Sequence, residues 1–128
     1  MPEPCAPRSV ADASPIAFPW GEIRWLCNRD LDSGAEMTFG VVSIQAGDRN
    51  DLHAHPNCEE VIYVVSGRCR HRLGDAEFDL EPGAALRIPR GEWHRATASA
   101  AEPCVMVIAY SSPDRQTIFR SEDTAENE

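Results

Sequence analysis

The chain is predicted to be all-β, a sandwich or barrel built from many short strands. Three observations predict this. Strand-length runs follow one another at close spacing, turn signals separate most of them, and no segment shows a long helical period with caps.

Taken in order, the first 19 residues carry Pro2, Pro4, Pro7, Pro15 and Pro19, which remove backbone donors and oppose both helix and central strand. Residues 1–19 therefore read as an extended arm, either disordered or laid along a partner subunit. Strands are expected over 22–27 and 36–45, divided by Asp32, Ser33 and Gly34, with a turn at Gly47 and Asp48 closing the second. Short runs follow over 51–55, 60–66 and 68–73, the last ending at Gly74 and Asp75. Pro82 and Gly83 then separate 77–80 from 85–88, before runs over 94–98 and 103–110. The segment from 112 offers one further edge strand, and 121–128 is an acidic tail too polar to pack. The expected organisation is an arm (1–19), a single domain (20–111), and an edge strand with a flexible tail (112–128). There is no internal repeat.

Composition bounds the partners. At 128 residues and 42% hydrophobic, the chain suffices for one domain with its own core. A net charge of −9 argues against nucleic acid and anionic membranes. The apolar runs 61–65 and 104–110 are too short to span a bilayer. The N-terminal residues lack an apolar signal region, which makes the cytoplasm the expected location. All twelve basic residues are arginine, and Arg68, Arg70 and Arg72 alternate along one strand as either a solvated face or a carboxylate-binding stripe. The five cysteines are scattered and contain no C-x-x-C, which favours free thiols. Cys58, between His55 and Glu60, reads as a buried thiol or as a redox-sensitive neighbour of the site described next.

His53, His55, Glu60 and His94 have the residue types and spacing of one metal site on strands. Residues two apart on a strand share a face, so His53 and His55 can grip one ion together. Glu60 follows after a short loop, and His94 arrives from a distant strand, as convergence inside a barrel requires. Glu59 competes with Glu60 as the carboxylate ligand, on the opposite face of the strand. His71 lies outside this spacing, as a strand-face or supporting histidine or a fifth ligand. If Glu60 points inward, Ile62 and Val64 follow it and form an apolar pocket wall, while Tyr63 faces away. Gln45 is a further pocket candidate by hydrogen bonding.

The glycines and prolines around the ligands sharpen this reading. Gly47 to Gly67 fits G-x(5)-H-x-H-x(4)-E-x(6)-G, and Gly83 to His94 fits G-x(5)-P-x-G-x-x-H. These paired patterns resemble the two motifs of the cupin superfamily, over roughly residues 21–110. The resemblance implies a double-stranded β-helix, or jelly-roll, barrel. It also assigns the ligand role to Glu60, since the gap to Gly67 fits the family register only from there. Ala98 stands where the family often has asparagine, a position that is not a ligand. The chain is also similar to the cupin-type dimethylsulfoniopropionate lyases in size and ligand set, though Ile62 stands where those carry a base tyrosine.

Three imidazoles and a carboxylate suit one divalent transition metal, iron placed first, with zinc, manganese, nickel, copper or cobalt also fitting. Six-coordination leaves positions for substrate or dioxygen. The expected function is a metal-dependent enzyme acting on a small organic acid or carbonyl compound. Oxygenase chemistry ranks first, followed by lyase, isomerase or cyclase chemistry, with Glu59 and His71 as the candidate acid–base residues. The alternative is a non-catalytic protein that binds or senses a small molecule through its metal. The apolar run at Val61, Tyr63 and Val65 needs cover, and resemblance to small cupins implies a homodimer.

Overall fold

Alternating burial along short strands dominates the computed structural model, which describes residues 6–121. Cys5 and the acidic tail beyond 121 fall outside the described residues. After a single 3-10 turn at Val10–Asp12, eleven strands follow: β1 (Pro15–Phe18), β2 (Gly21–Cys27), β3 (Thr38–Ile44), β4 (His53–Ala54), β5 (Glu60–Ser66), β6 (Cys69–Leu73), β7 (Ala76–Leu80), β8 (Ala85–Ile88), β9 (His94–Ala98), β10 (Cys104–Tyr110) and β11 (Ile118–Phe119). Among the described residues no helix is long and apolar enough to cross a membrane.

All strand pairs are antiparallel. One sheet has the order β1-β2-β3-β10-β5-β8 and the other β11-β4-β9-β6-β7. From β3 onward the chain crosses between the two facing sheets at every connection except the β6–β7 hairpin, and so builds a jelly-roll barrel. The inward side chains of both layers form one core, with Val42 and Ile44 from β3, Ile62 and Val64 from β5, Cys69 from β6, Ala96 from β9 and Met106 and Ile108 from β10. Burying an isoleucine such as Ile44 or Ile62 contributes about 1.5–3 kcal/mol, so the period-2 pattern itself fixes which face turns inward.

The proline-rich start behaves differently from the extended arm its composition suggests. Residues 15–18 pair with β2 from Pro15↔Arg24 to Phe18↔Gly21, completing an edge strand. Proline is tolerated there because the first residue of an edge strand need not donate to a ladder. At the other end β11 pairs with β4 through Ile118↔Ala54 and Phe119↔His53, an edge strand in the segment where one is expected. Met37 and Phe39 are exposed, whereas Met106 is buried in the core.

Two of the three alternating arginines, Arg68 just before β6 and Arg70 within it, are neutralised locally, while Arg72 donates to the Gly74 carbonyl. Arg70 lies 3.1 Å from Asp79 and 3.6 Å from Glu77, and Arg68 lies 3.2 Å from Glu81. The stripe is a solvated sheet face crossed by ion pairs, which at this exposure contribute little.

Candidate metal centre

The two sheets meet around four side chains. β4 carries His53 and β9 carries His94 directly opposite it in register. His55 lies just past the end of β4, and Glu60 opens β5 on the facing sheet. One ligand atom from each of His53, His55, Glu60 and His94 lies within 4.8 Å of all the others. The imidazole centroids are 4.1 Å apart for His53 and His94, 5.0 Å for His53 and His55, and 5.2 Å for His55 and His94.

Hydrogen bonding orients each ring. His53 Nδ1 lies 2.7 Å from the Asp51 carbonyl, His55 Nδ1 2.9 Å from that of Gln116, and His94 Nδ1 3.1 Å from that of Glu92. A carbonyl only accepts, so each Nδ1 carries the proton and donates it. The Nε2 lone pairs are left for the cluster, an arrangement that supports histidine as a metal ligand. Nε2 of His94 and of His55 stand 3.0 and 3.3 Å from Glu60 Oε1. Lone pairs facing a carboxylate require a cation between them, either protons or a metal ion. The four donors therefore fit a first-row divalent metal.

The charge states agree with this. Burial and the neighbouring His94 charge hold the His53 imidazole down at about 3, so it is neutral at pH 7. Burial alone would raise the Glu60 carboxyl, but its contacts with His55 and His94 outweigh that and hold it well below the usual carboxylate range. Burial and then the Glu60 charge push the Tyr110 phenol well above its ordinary value, and its hydroxyl hydrogen-bonds the Glu60 carboxylate. Burial also raises the Cys58 thiol, which is 1% exposed and therefore lacks the low-pKa, accessible character of a redox-sensitive cysteine.

The cluster lines a cavity of about 270 Å³. Ile23, Val42, Ile62, Met106 and Ile108 give it an apolar wall, with Phe18, Trp20 and Phe119 also in its lining. Phe18 and Trp20 stack at 4.7 Å. Arg115 enters from the β10–β11 link, with its guanidinium 5.1 Å from the Tyr110 ring and 4.7 Å from that of Trp25.

Sequence-predicted residues separate clearly here. His53, His55, Glu60 and His94 converge, and Ile62 and His71 line the cavity. His71 is not among the four clustered donors. Burial and then the neighbouring His94 charge lower it to about 4. Glu59 does not line the cavity. It turns outward and pairs with Arg87 at 2.6 Å, because β5 alternation that sends Glu60 inward must send its neighbour out. Gln45 is exposed for the same reason, following the buried Ile44. Val64 does point inward but packs in the core away from the cavity lining. Tyr110 was reachable from sequence, because it continues the inward alternation of Met106 and Ile108. Arg115 was not, since its position depends on a loop.

A jelly-roll barrel with a largely buried three-histidine, one-glutamate cluster between its sheets defines a class of metal-binding β-barrel proteins. The cupin domain family matches residues 40–110, and the chain belongs to that family. It is 31% identical over 84 residues to Protein SchB of Streptomyces halstedii, covering 66% of this chain and 61% of that one. It is 29% identical over 102 residues to Polyketide synthase CurC of Streptomyces cyaneus, covering 80% and 66%. A solved structure of Bacillus subtilis oxalate decarboxylase, studied for its Mn(II) centres, superimposes with a TM-score of 0.78 at 19% identity, covering 86% of this chain and 30% of that one. The chain thus spans less than two thirds of SchB and CurC and under a third of the decarboxylase.

Proposed function

We propose that this chain is a metal-dependent cupin enzyme acting on a small organic acid or carbonyl compound inside the barrel. One observation carries the reading: three imidazoles, each fixed by an Nδ1–H bond to a backbone carbonyl, cluster with an anionic carboxylate in a largely apolar cavity, and two of them, His55 and His94, present Nε2 to it. A divalent ion bound there, whether iron, manganese, zinc, nickel, copper or cobalt, supplies a Lewis acid for carbonyl and carboxylate oxygens or, as iron, a partner for dioxygen.

The protein's own groups set what enters. Ile62, Val42, Met106 and Ile108 exclude water and strengthen every polar contact made beside them. Arg115 places a permanent positive charge in the lining, which favours an anionic ligand. Tyr110 holds Glu60 in place and stays protonated.

Polyketides and oxalate, in the names of CurC and the decarboxylase, are both carbonyl or carboxylate compounds. They support a reaction at a carbonyl or carboxyl carbon, of the isomerase, cyclase or lyase type. The dry apolar wall supports the oxygenase form.

Elemental analysis of protein purified without added metal, beside His53→Ala, decides first. About one metal per chain in the wild type, lost in the variant, is expected. Iron directs assays to dioxygen consumption; manganese, zinc or nickel directs them to elimination or isomerisation. Metal content unaffected by the substitution would overturn the site. Saturable ligand binding with no product would replace the enzyme by a binding protein.

We also propose that the chain pairs with a second copy through the outer face of its six-stranded sheet.

A further inference from the structure

His71 belongs to the cavity, but the four-donor cluster does not use it. On β6 the alternation that turns Arg70 and Arg72 outward turns Cys69 and His71 inward. Its neighbour in register on β9 is the small Ala96, which leaves its ring access to the cavity. The ring lies nearly parallel to that of His94, at 13° and 5.7 Å between centroids. It is 2% exposed, and neither ring nitrogen has a hydrogen-bond partner in the protein.

That contrast with the other histidines is informative. His53, His55 and His94 each give Nδ1–H to a backbone carbonyl, the anchoring that aims a metal ligand. His71 has no such anchor. Buried polar atoms are costly to leave unmade, and a leucine or phenylalanine in this position would avoid that cost. Asn50, an amide that also lines the cavity, commits its Oδ1 to the Ala96 N–H and makes no hydrogen bond to His71. The hydrogen-bonding capacity of His71 therefore faces whatever fills the cavity.

We propose that His71 is a substrate-contacting residue, hydrogen-bonding an oxygen of a compact chelating compound whose other oxygen faces the four-donor cluster. The ligand class is a 2-oxo or 2-hydroxy acid or an enolised 1,3-dicarbonyl. An imidazole with one donor and one acceptor meets either the oxyanion or the hydroxyl of such a compound. The apolar wall accepts its carbon portion, and Arg115 opposes a cationic ligand. The inference rests on the metal-enzyme reading and adds the residue that orients the ligand.

Acetohydroxamate, a small bidentate oxygen donor, is the probe. Wild type, His71→Phe and His71→Gln are stripped of metal, reloaded with Co(II), and titrated by calorimetry while the cobalt absorption spectrum is followed. All three should retain about one Co(II) per chain with the same spectrum before the probe is added. Acetohydroxamate should bind about tenfold more weakly to His71→Phe, the loss expected for one hydrogen bond. His71→Gln, which keeps a donor and an acceptor, should recover part of that affinity. If the phenyl ring prevents folding, His71→Leu takes its place. Unchanged probe affinity in the apolar variant overturns the inference. So does loss of cobalt from that variant, which would make His71 a ligand. Wild type that holds cobalt but binds no hydroxamate overturns this inference alone, whereas wild type that holds no cobalt overturns the metal-enzyme reading beneath it.

Discussion

Glu60 is 4% exposed, and its carboxylate touches His55 and His94 and receives the Tyr110 hydroxyl. It is the anionic member of the donor set, so its charge sets the strength of cation binding more than any single imidazole does. Glu60→Gln keeps the shape and removes the charge. A metal at about a thousandfold above its dissociation constant stabilises a folded site by about 4 kcal/mol, a rise in Tm on the order of 10 °C for a domain of this size. That rise, measured by thermal melts with and without chelator, should largely disappear in Glu60→Gln. An equal rise in both proteins would remove Glu60 from the site. The H-x-H pair was legible in the sequence because a two-residue period is a local property of any strand. Choosing Glu60 over Glu59 needed the facing of a whole strand, and the outward Glu59–Arg87 pair is the physical counterpart of that choice. Val64 shows the remaining difficulty: periodicity gives the face a side chain occupies but not its depth along the barrel.

At the scale of elements, the β5–β6 connection sets the register that brings Glu60 to the histidines. On β5, Val64 pairs with Met106 and Ser66 with Val105, leaving Val65 as an extra residue in a bulge. Gly67 then turns the chain at φ +75. A Cβ on Gly67 would collide with the Pro103 carbonyl oxygen and come within 2.9 Å of the Cys104 Cα, both backbone atoms that cannot swing aside. Positive φ alone costs a side chain about 1–2 kcal/mol, so Gly67→Ala should destabilise by more than about 2 kcal/mol. Urea denaturation should show this as a lower midpoint with an unchanged slope. A midpoint within error of wild type would mean that the turn relaxes freely. Gly67 stands out in the sequence only as a motif position, since the clash involves a strand reached much later in the chain. β1 was hidden for a related reason: prolines lower strand propensity, yet the neighbour that recruits residues 15–18 is β2, beyond the turn at Trp20.

For the whole molecule, the unresolved demand lies on the outer face of the six-stranded sheet. Val61, Tyr63 and Val65 alternate outward along β5 and are 43, 47 and 50% exposed. Register places Ala109 beside Val61 and Val107 beside Tyr63 on β10, and Phe39 and Val41 next to these on β3. The apolar side chains therefore form a continuous patch across three neighbouring strands, with Ala85 of β8 extending it opposite Tyr63. Isolated exposed apolar residues are ordinary, but a contiguous patch on a regular sheet marks a surface that is covered in use. A second copy offers the same face, apolar at its centre and flanked by the Glu59–Arg87 and Glu22–Arg24 pairs, and closes the contact by two-fold symmetry. It also spares a chain of net charge −9 the cost of opposing acidic surfaces, because this face carries apolar groups at its centre. Tyr63→Arg places a charge in the middle of the patch, where pairing would leave it buried opposite its own symmetry mate. The wild type should scatter as a dimer at micromolar concentration and the variant as a monomer. Metal content should be equal in the two, because Tyr63 points away from the barrel interior that holds the four donors. A monomeric wild type, or a variant that remains dimeric, would move the interface elsewhere or abolish it, while leaving the metal centre untouched.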